Sequence, residues 1–594
     1  MTLPHFNDPA ITRRIEEWTS SAYDEKTRAE VSALADAGDA KELEDRFYRT
    51  LEFGTGGLRG KLGAGTNRMN AYIVARATQG LASYVKANAT RPGPLRAVVG
   101  HDSRHRSREF AETVAGVLAA NGFYVHISPT IRPTPYVSYA IRELQCHTGI
   151  MVTASHNPRE YNGYKVYWDD GSQVIAPHDE GIIREVDKVT DDSMVLRAKF
   201  DEAVAQGLVK VMGAEMDEAY LAAVLKQRID EPTIRAYAPR IVYTPLHGVG
   251  GTMAPEALRQ WGFRDVICEP EQMKPDGDFP TAASPNPEEG AALDRAVKLA
   301  EKEGAELVLA TDPDADRLGV AVLHQGKFRL MTGNQMCALV GDFLISNHKA
   351  RVAPRQAGMV TTIVTSPLVK KMAEGHGAAC PLVLTGFKWI ADTMRKWEAA
   401  GGNPAFLYGT EESYGYLIGE HCRDKDGIVA SCVVAEMAAH ARKEGLTLVD
   451  KLDQLYVRHG VHYEFQKSIT MPGADGARQI AAILDGIRKS PPSTIDGRPV
   501  ARFTRVDTGE VFAYGKPAEA LDLPRSDVFL FDLEDGTRGI VRPSGTEPKI
   551  KFYFFLCDAK KPATIAEARA TYDRLAQTAP AFLKEFLQAI GHQG

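Results

Sequence analysis

Short β-branched runs alternate with Ala-rich stretches of helical length over most of this chain, and that rhythm restricts the fold more than any single residue does. Residues 97–100 read as a strand, 109–121 as a helix with small residues on its packing face, and 125–127 and 148–153 as further strands. The pattern returns at 240–243, 254–261, 266–268, 293–304 and 307–310, and a third time at 358–362, 367–374 and 380–383. Strands separated by helices pair in parallel, because the crossover brings the chain back to its starting edge. Three rounds predict three similar α/β domains, although no repeat of fixed period accompanies them. From about residue 461 the composition changes. Strand-like runs at 528–533 and 550–555 alternate with turns, and a helical stretch at 564–590 follows, as in a smaller α+β domain. At 594 residues, a prior of about 150 residues per domain gives roughly four domains. The expected architecture is α/β: a four-domain chain with three similar mixed α/β domains and a C-terminal α+β domain. The expected divisions are a helical arm over 1–45, with Ile11, Ile15 and Trp18 on one side, then domains over 46–212, 213–335, 336–460 and 461–594.

Composition narrows the function classes. A net charge of -6 is small for this length and offers no general basic field for nucleic acid. The seven cysteines are scattered and form no CxxC pair, which argues against a disulfide framework or a zinc site and fits a reducing, cytoplasmic setting. No stretch approaches the roughly 20 apolar residues that span a bilayer, so no membrane partner is expected. The longest candidate, 428–440, carries Glu436 and reads as a buried helix.

Two segments carry the chemistry. Thr153-Ala-Ser-His-Asn-Pro158 follows an apolar strand, and strand ends in α/β sheets are where ligands bind. Ser155 needs activation to act as a nucleophile. The G-x-S-x-G elbow of hydrolases is absent, because Ala154 and His156 flank the serine. Asp312, Asp314 and Asp316 alternate just after a second apolar strand. Alternate residues of an extended chain face one side, so three carboxylates can converge on a hard divalent ion. An EF-hand fails, since Arg317 and Leu323 stand where glycine and glutamate belong. An aspartyl-phosphate enzyme would use Asp312 as nucleophile in D-x-D-x-T, and Asp316 at the fifth position weakens that reading.

Three further segments suit anions or sugars. Phe53-Gly-Thr-Gly-Gly-Leu-Arg-Gly60 can cradle phosphate through backbone N–H groups, with Arg59 as a bidentate ligand. It is not a Walker loop, because Leu62 follows Lys61, nor a dinucleotide fingerprint, because Arg59 takes the third glycine's place. Arg542-Pro-Ser-Gly-Thr-Glu547 places a guanidinium and two hydroxyls beside a flexible glycine. Gly409-Thr-Glu-Glu-Ser-Tyr-Gly415 offers Glu411 and Ser413 on one side of an extended loop, matched to vicinal sugar hydroxyls.

These five segments, in this order, resemble the α-D-phosphohexomutase superfamily, over about residues 46 to 575. Strings such as Asn162-Gly-Tyr-Lys-Val-Tyr-Trp168 and Glu411-Glu-Ser-Tyr-Gly-Tyr416 are similar to its longer phosphoglucomutase branch. The resemblance implies four domains around a central cleft, each supplying one loop. Ser155 would be the phosphoserine and, with Asp312, Asp314 and Asp316, would hold one Mg²⁺. Arg59 and Lys165 would flank the transferring phosphoryl group, with Lys165 a candidate acid/base. Asp316, Arg317, Thr385, Lys388 and Lys425 would contact substrate, Glu411 and Ser413 would grip sugar hydroxyls, and Arg542, Ser544, Gly545 and Thr546 would hold the phosphate that stays. Two departures stand out: Gly56, where serine or alanine is common, and Thr410, where an aromatic residue is frequent, which bears on sugar selectivity.

The implied reaction interconverts glucose 1-phosphate and glucose 6-phosphate through a phosphoserine and glucose 1,6-bisphosphate. A stored phosphoryl group accounts for the missing ATP loop and the missing triad. The partners implied are small-molecule sugar phosphates, with the chain a monomer or small homo-oligomer. The rival readings are a phosphopentomutase, phosphomannomutase or sugar-bisphosphate synthase of the same family, a metal-dependent phosphatase using Asp312, and a silent sugar-phosphate sensor.

Overall fold

The computed structural model describes residues 3–54, 56–348, 352–471, 473–513, 516–544 and 549–592. The chain divides into two compact units. One holds residues 1–323, 328–330 and 415–436, and the other holds 324–327, 331–414 and 437–594.

Two sheets build the first unit. The strands of the first run in the order Gly57–Lys61, Tyr161–Trp168, Thr148–Val152, Arg96–His101, Tyr124–Ile127 and Val209–Val211. Arg96–His101 pairs in parallel with both of its neighbours. Tyr161–Trp168, however, is antiparallel to Thr148–Val152 and to Gly57–Lys61. The second sheet repeats the arrangement: Ile241–Thr244 is parallel to Val266–Cys268 and to Leu307–Thr311, and Leu318–His324 returns antiparallel to Leu307–Thr311. The strands expected from the alternation do pair in parallel, and the mixed character comes from the added antiparallel strands Gly57–Lys61, Tyr161–Trp168 and Leu318–His324. The segments 153–160 and 312–317 are too short for a crossover helix, so each chain must turn straight back. Those two reversals hold Ser155 and the aspartates.

Ahead of the first sheet lie helices Pro9–Trp18, Glu25–Asp36 and Ala40–Phe47, capped by Asp8, Asp24 and Asp39. Ile11, Ile15 and Trp18 lie on one buried face, as the periodicity predicts, and share a core with Leu58, Val99, Ile150 and Tyr164. Glu436 is buried and fully engaged: it accepts the backbone N–H groups of Ile229 and Asp230 and the Trp261 indole N–H.

In the second unit, Ala357–Thr362 pairs in parallel with Leu382–Val383 and Ala405–Glu411. The C-terminal sheet is antiparallel, in the order His462–Thr470, Lys549–Cys557, Arg538–Pro543, Phe529–Leu533, Arg498–Arg505, Glu510–Ala513 and Glu519–Ala520. Helix Ile565–Ala589 covers it, with the Phe582 and Phe586 rings edge-on to Phe554. This is the expected α+β domain.

Candidate active site

Ser155 stands just past the C-terminal end of strand Thr148–Val152 with φ at 53°. That conformation costs a non-glycine residue about 1–3 kcal/mol unless its surroundings enforce it, and here they do. Thr153 Oγ1 accepts the Ser155 N–H at 2.8 Å. The fully buried Arg104 guanidinium donates to four carbonyls of the same loop: Ser155 at 2.6 Å, Pro158 at 2.8 Å, Tyr161 at 3.0 Å, and Asn157. Asp102, also buried, lies beside Arg104 Nε at 3.4 Å. The serine hydroxyl thus has a fixed direction.

It points at the aspartates. Ser155 Oγ donates to Asp312 Oδ2 at 2.7 Å, across 157 residues of chain. The other Asp312 oxygen accepts the N–H groups of Asp316 and Arg317, at 3.1 and 3.0 Å, which tightens the turn. Lys165 Nζ bridges Asp314 Oδ2 at 2.7 Å and Asp316 Oδ2 at 2.9 Å, and Lys425 Nζ lies 3.2 Å from Asp316. Thr134 Oγ1 donates to Asp314 Oδ2 at 2.7 Å, and its N–H donates to the Asp314 carbonyl at 2.9 Å.

The charges are unbalanced in an instructive way. Burial, then Asp314 and Asp316, pushes the Asp312 carboxyl well above the usual range. For Asp316 burial acts in the same direction, but Lys165, Lys425 and Arg317 outweigh it and hold the group ionised. Burial also disfavours the Lys165 ammonium, yet Asp314 and Asp316 together keep it protonated. Asp314 Oδ1 and Asp316 Oδ1 are buried with no hydrogen-bond partner. One oxygen from each of the three carboxylates lies within 4.8 Å of the others. Crowded acidic oxygens with two left unpaired are the donor set of a hard divalent cation, and the residues present fit one. His156 Nδ1 lies 3.2 Å from Ser155 Oγ. Burial, then Arg317 and Arg59, pushes that imidazole well below its ordinary pKa, so His156 sits there neutral.

Arg59 faces solvent on strand Gly57–Lys61, with Nη1 3.4 Å from Asn157 Oδ1. That strand lies against Tyr161–Trp168 with Gly57 opposite Lys165. Gly57 has φ of +119°, and a Cβ there would fall 1.7 Å from the Tyr164 carbonyl oxygen. Only glycine permits this approach. Arg317 is ion-paired to Glu288 at 2.6 Å.

In the second unit, Glu411 Oε1 accepts the Gly386 N–H at 2.6 Å, which brings Glu411 to the Thr385–Lys388 segment. Lys388 Nζ lies 5.3 Å from the Trp389 ring centre. Residues 412–414 form a turn rather than an extended loop, so the alternation used to pair Glu411 with Ser413 does not apply. The strand ends at Glu411, and the chain must reverse direction there. Thr410 is fully buried, 2.9 Å from Cys337 Sγ. Its hydroxyl is held inside the second unit by that contact. Arg542 Nη1 donates to Tyr553 OH at 3.3 Å, and Ser544 N–H to the Lys549 carbonyl at 2.7 Å. Gly545 and Thr546 lie outside the described residues.

The sequence reasoning missed Arg104, Thr134 and Asp424. Asp424 accepts from Tyr167 OH at 2.8 Å and Gln173 Nε2 at 2.9 Å, beside Lys425. The available signal for Arg104 was a charged tripeptide pattern, Asp102-Ser-Arg104, directly after the apolar strand 96–101.

Comparison with known proteins shows the family. Models of phosphoglucomutase/phosphomannomutase α/β/α domains I, II and III match residues 50–193, 218–326 and 332–457, and the C-terminal domain model matches 500–572. A phosphoglucomutase of Staphylococcus aureus is 34% identical over 524 residues, 87% of this chain and 91% of its own. The chain belongs to the α-D-phosphohexomutase superfamily. Phosphohexomutases are intramolecular phosphotransferases that depend on a metal ion. A Schizosaccharomyces pombe member named "Probable phosphoribomutase" is 34% identical over 561 residues, 92% of this chain and 94% of its own. The phosphohexomutase fold recurs in the open form of a Paramecium phosphoglucomutase, parafusin, with a TM-score of 0.67 at 19% identity, covering 91% of this chain and 96% of that one. It recurs also in a Burkholderia thailandensis phosphoglucomutase/phosphomannomutase family protein, with a TM-score of 0.61 at 18% identity and coverage of 89% and 97%. Among the described residues of this phosphohexomutase, no helix is long and apolar enough to cross a membrane.

Proposed function

We propose that this phosphohexomutase interconverts glucose 1-phosphate and glucose 6-phosphate, with Ser155 as the phosphorylated residue and glucose 1,6-bisphosphate as the intermediate. The observation that carries the reading is the 2.7 Å contact of Ser155 Oγ with Asp312, inside a carboxylate cluster that Lys165 bridges.

In the forward half-reaction the P–O bond to Ser155 breaks, and a P–O bond to the sugar 6-hydroxyl forms. The hydroxyl proton leaves, and the serine oxygen regains a proton. After the bisphosphate turns over, the 1-phosphate returns to Ser155 by the same exchange. Such transfers need positioning and charge stabilisation more than covalent help. Asp312, Asp314 and Asp316 would hold Mg²⁺, which would supply positive charge to the phosphoryl oxygens. Arg104 and Thr153 orient the nucleophile, and Arg59 adds a guanidinium from the neighbouring strand. Lys165 is the proposed acid/base. Arg317, Lys425, Thr385, Lys388, Glu411 and Ser413 are the proposed sugar and phosphate contacts, and Arg542, Ser544, Gly545 and Thr546 the holders of the standing phosphate. We place this chemistry in the cytoplasm, in a chain divided near residues 46, 213, 336 and 461. The seven free cysteines fit a reducing compartment.

Intact-protein mass spectrometry should find one phosphate, located to Ser155, and Ser155→Ala should lose both the phosphate and turnover. Full turnover by that variant would end the proposal. A ribose 1-phosphate mutase is the second reading, favoured by the phosphoribomutase relative. Side-by-side kcat/KM for glucose, mannose and ribose 1-phosphates separates the readings.

A further inference from the structure

A second group of ligating side chains follows strand Gly415–Ile418, and phosphoryl transfer does not use it. Cys422 Sγ, an imidazole nitrogen of His421 and a carboxylate oxygen of Asp426 lie within 4.8 Å of one another. Cys422 and Asp426 are wholly buried, and the His421 side chain is 5% exposed. Glu420, next in the chain, is solvent-exposed.

The arrangement is rigid before any ion binds. Asp426 accepts the N–H groups of Ile428 at 2.8 Å and Val429 at 3.0 Å, and Tyr220 OH lies 3.0 Å from both of its oxygens. His421 Nε2 lies 2.7 Å from Asp426 Oδ2. The other imidazole nitrogen, Nδ1, is buried with no hydrogen-bond partner. A polar atom left so costs about 1–3 kcal/mol. The Cys422 thiol donates to the Asp424 carbonyl at 3.4 Å.

An imidazole that gives one nitrogen to a carboxylate and keeps the other for a metal is the usual way proteins orient a histidine ligand. A thiolate beside it selects zinc-class ions over Mg²⁺, which prefers oxygen alone. One thiolate and one carboxylate also balance the charge of a divalent ion, as a buried site requires. The aspartate triad, all oxygen, has the opposite preference.

We propose that His421, Cys422 and Asp426 form a second cation site for a borderline-soft divalent ion of the zinc class. Cys422 Sγ and His421 Nδ1 ligate the ion, and Asp426 orients the imidazole and supplies charge. Residues 423–425 lie between the ligands, and Lys425 Nζ reaches Asp316 at 3.2 Å. An ion at this site therefore stiffens the segment that presents Lys425.

The test uses the full-length protein, stripped by chelator and held in saturating Mg²⁺, so that the oxygen triad is occupied. Co²⁺ titration should raise a near-ultraviolet thiolate-to-cobalt charge-transfer band that saturates at one ion per chain and is reversed by Zn²⁺. In Cys422→Ser the band should vanish, and in His421→Gln the apparent Kd should rise by about 10-fold or more. X-ray absorption of the Zn²⁺-loaded wild-type protein should show sulfur in the first coordination shell, a readout that needs no variant. An oxygen-only shell, an absent band, or a band undiminished in Cys422→Ser would overturn the proposal. None of these outcomes depends on which sugar the phosphohexomutase accepts.

Discussion

Replacing Arg104 should separate loop geometry from substrate binding. Its guanidinium makes four hydrogen bonds to the carbonyls of residues 155, 157, 158 and 161 and lies against buried Asp102. Hydrogen bonds from a charged donor contribute about 1.5–3 kcal/mol each, though not additively. Removing one partner of a buried charge pair typically costs about 3–5 kcal/mol. Arg104→Ala should therefore lose stability on that scale, with Asp102 left unpaired. Arg104→Lys is the sharper test. It keeps the charge beside Asp102, but a single ammonium cannot span four carbonyls as a planar fork does. Ser155 would then relax from its left-handed conformation and drift from Asp312. A misplacement of about 1 Å costs on the order of 100-fold in rate, or about 2.7 kcal/mol of barrier. The expected result for Arg104→Lys is kcat down about 100-fold with KM for the sugar phosphate nearly unchanged, since Arg104 makes no contact that would weaken ground-state binding. Amide hydrogen exchange at 155–161 should quicken in parallel. Wild-type kcat in a variant whose loop exchanges faster would refute the link between loop order and transfer.

Three further outcomes follow from particular contacts. Thr134→Val removes the hydroxyl bonded to Asp314 Oδ2; the Mg²⁺ concentration for half-maximal activity should rise about 10-fold or more, and an unchanged titration would remove Thr134 from the metal's surroundings. Gly57→Ala places a methyl 1.7 Å from the Tyr164 carbonyl oxygen; the overlap and the positive φ together should cost roughly 3 kcal/mol or more, read as an earlier first step in chemical denaturation, and a wild-type denaturation curve would contradict the strand spacing. His462 is buried, and burial, then Lys371, lowers its pKa from 6.5 to about 3. The unfolded chain binds the proton more readily, so stability is full above about pH 6.5 and falls as pH drops toward 3, by up to roughly 5 kcal/mol. His462→Phe should flatten that acid limb in urea melts at graded pH, and an equally steep limb in the variant would locate the acid sensitivity elsewhere.

The elements were legible because their signals are local. The strands around 96–101 and 307–311 announce themselves by β-branched runs, and helix Ala254–Trp261 by its periodicity. Direction of pairing was less legible. Nothing in Tyr161–Trp168 by itself distinguishes parallel from antiparallel; the shortness of the segment before it decides. Ser155 and the aspartates stood out because each sits in a distinctive string just past an apolar strand. The burial of Thr410 beside Cys337 was not legible, because that partner lies 73 residues away. Thr134 and Arg104 were missed because a threonine opening a helix and an arginine in a loop look ordinary until their partners are known.

What the sequence alone determined is the inventory: where strands and helices form, which serine follows an apolar strand in a distinctive string, and which three carboxylates alternate after another. Only the tertiary structure decided the meetings. Strand register sets Gly57 opposite Lys165, the fold carries Ser155 to Asp312 across 157 residues, and a buried guanidinium picks out four carbonyls of one loop. The reason is physical: backbone preference and side-chain periodicity act over a few residues, whereas the partner of a buried charge is settled by which surfaces must close against each other to exclude water.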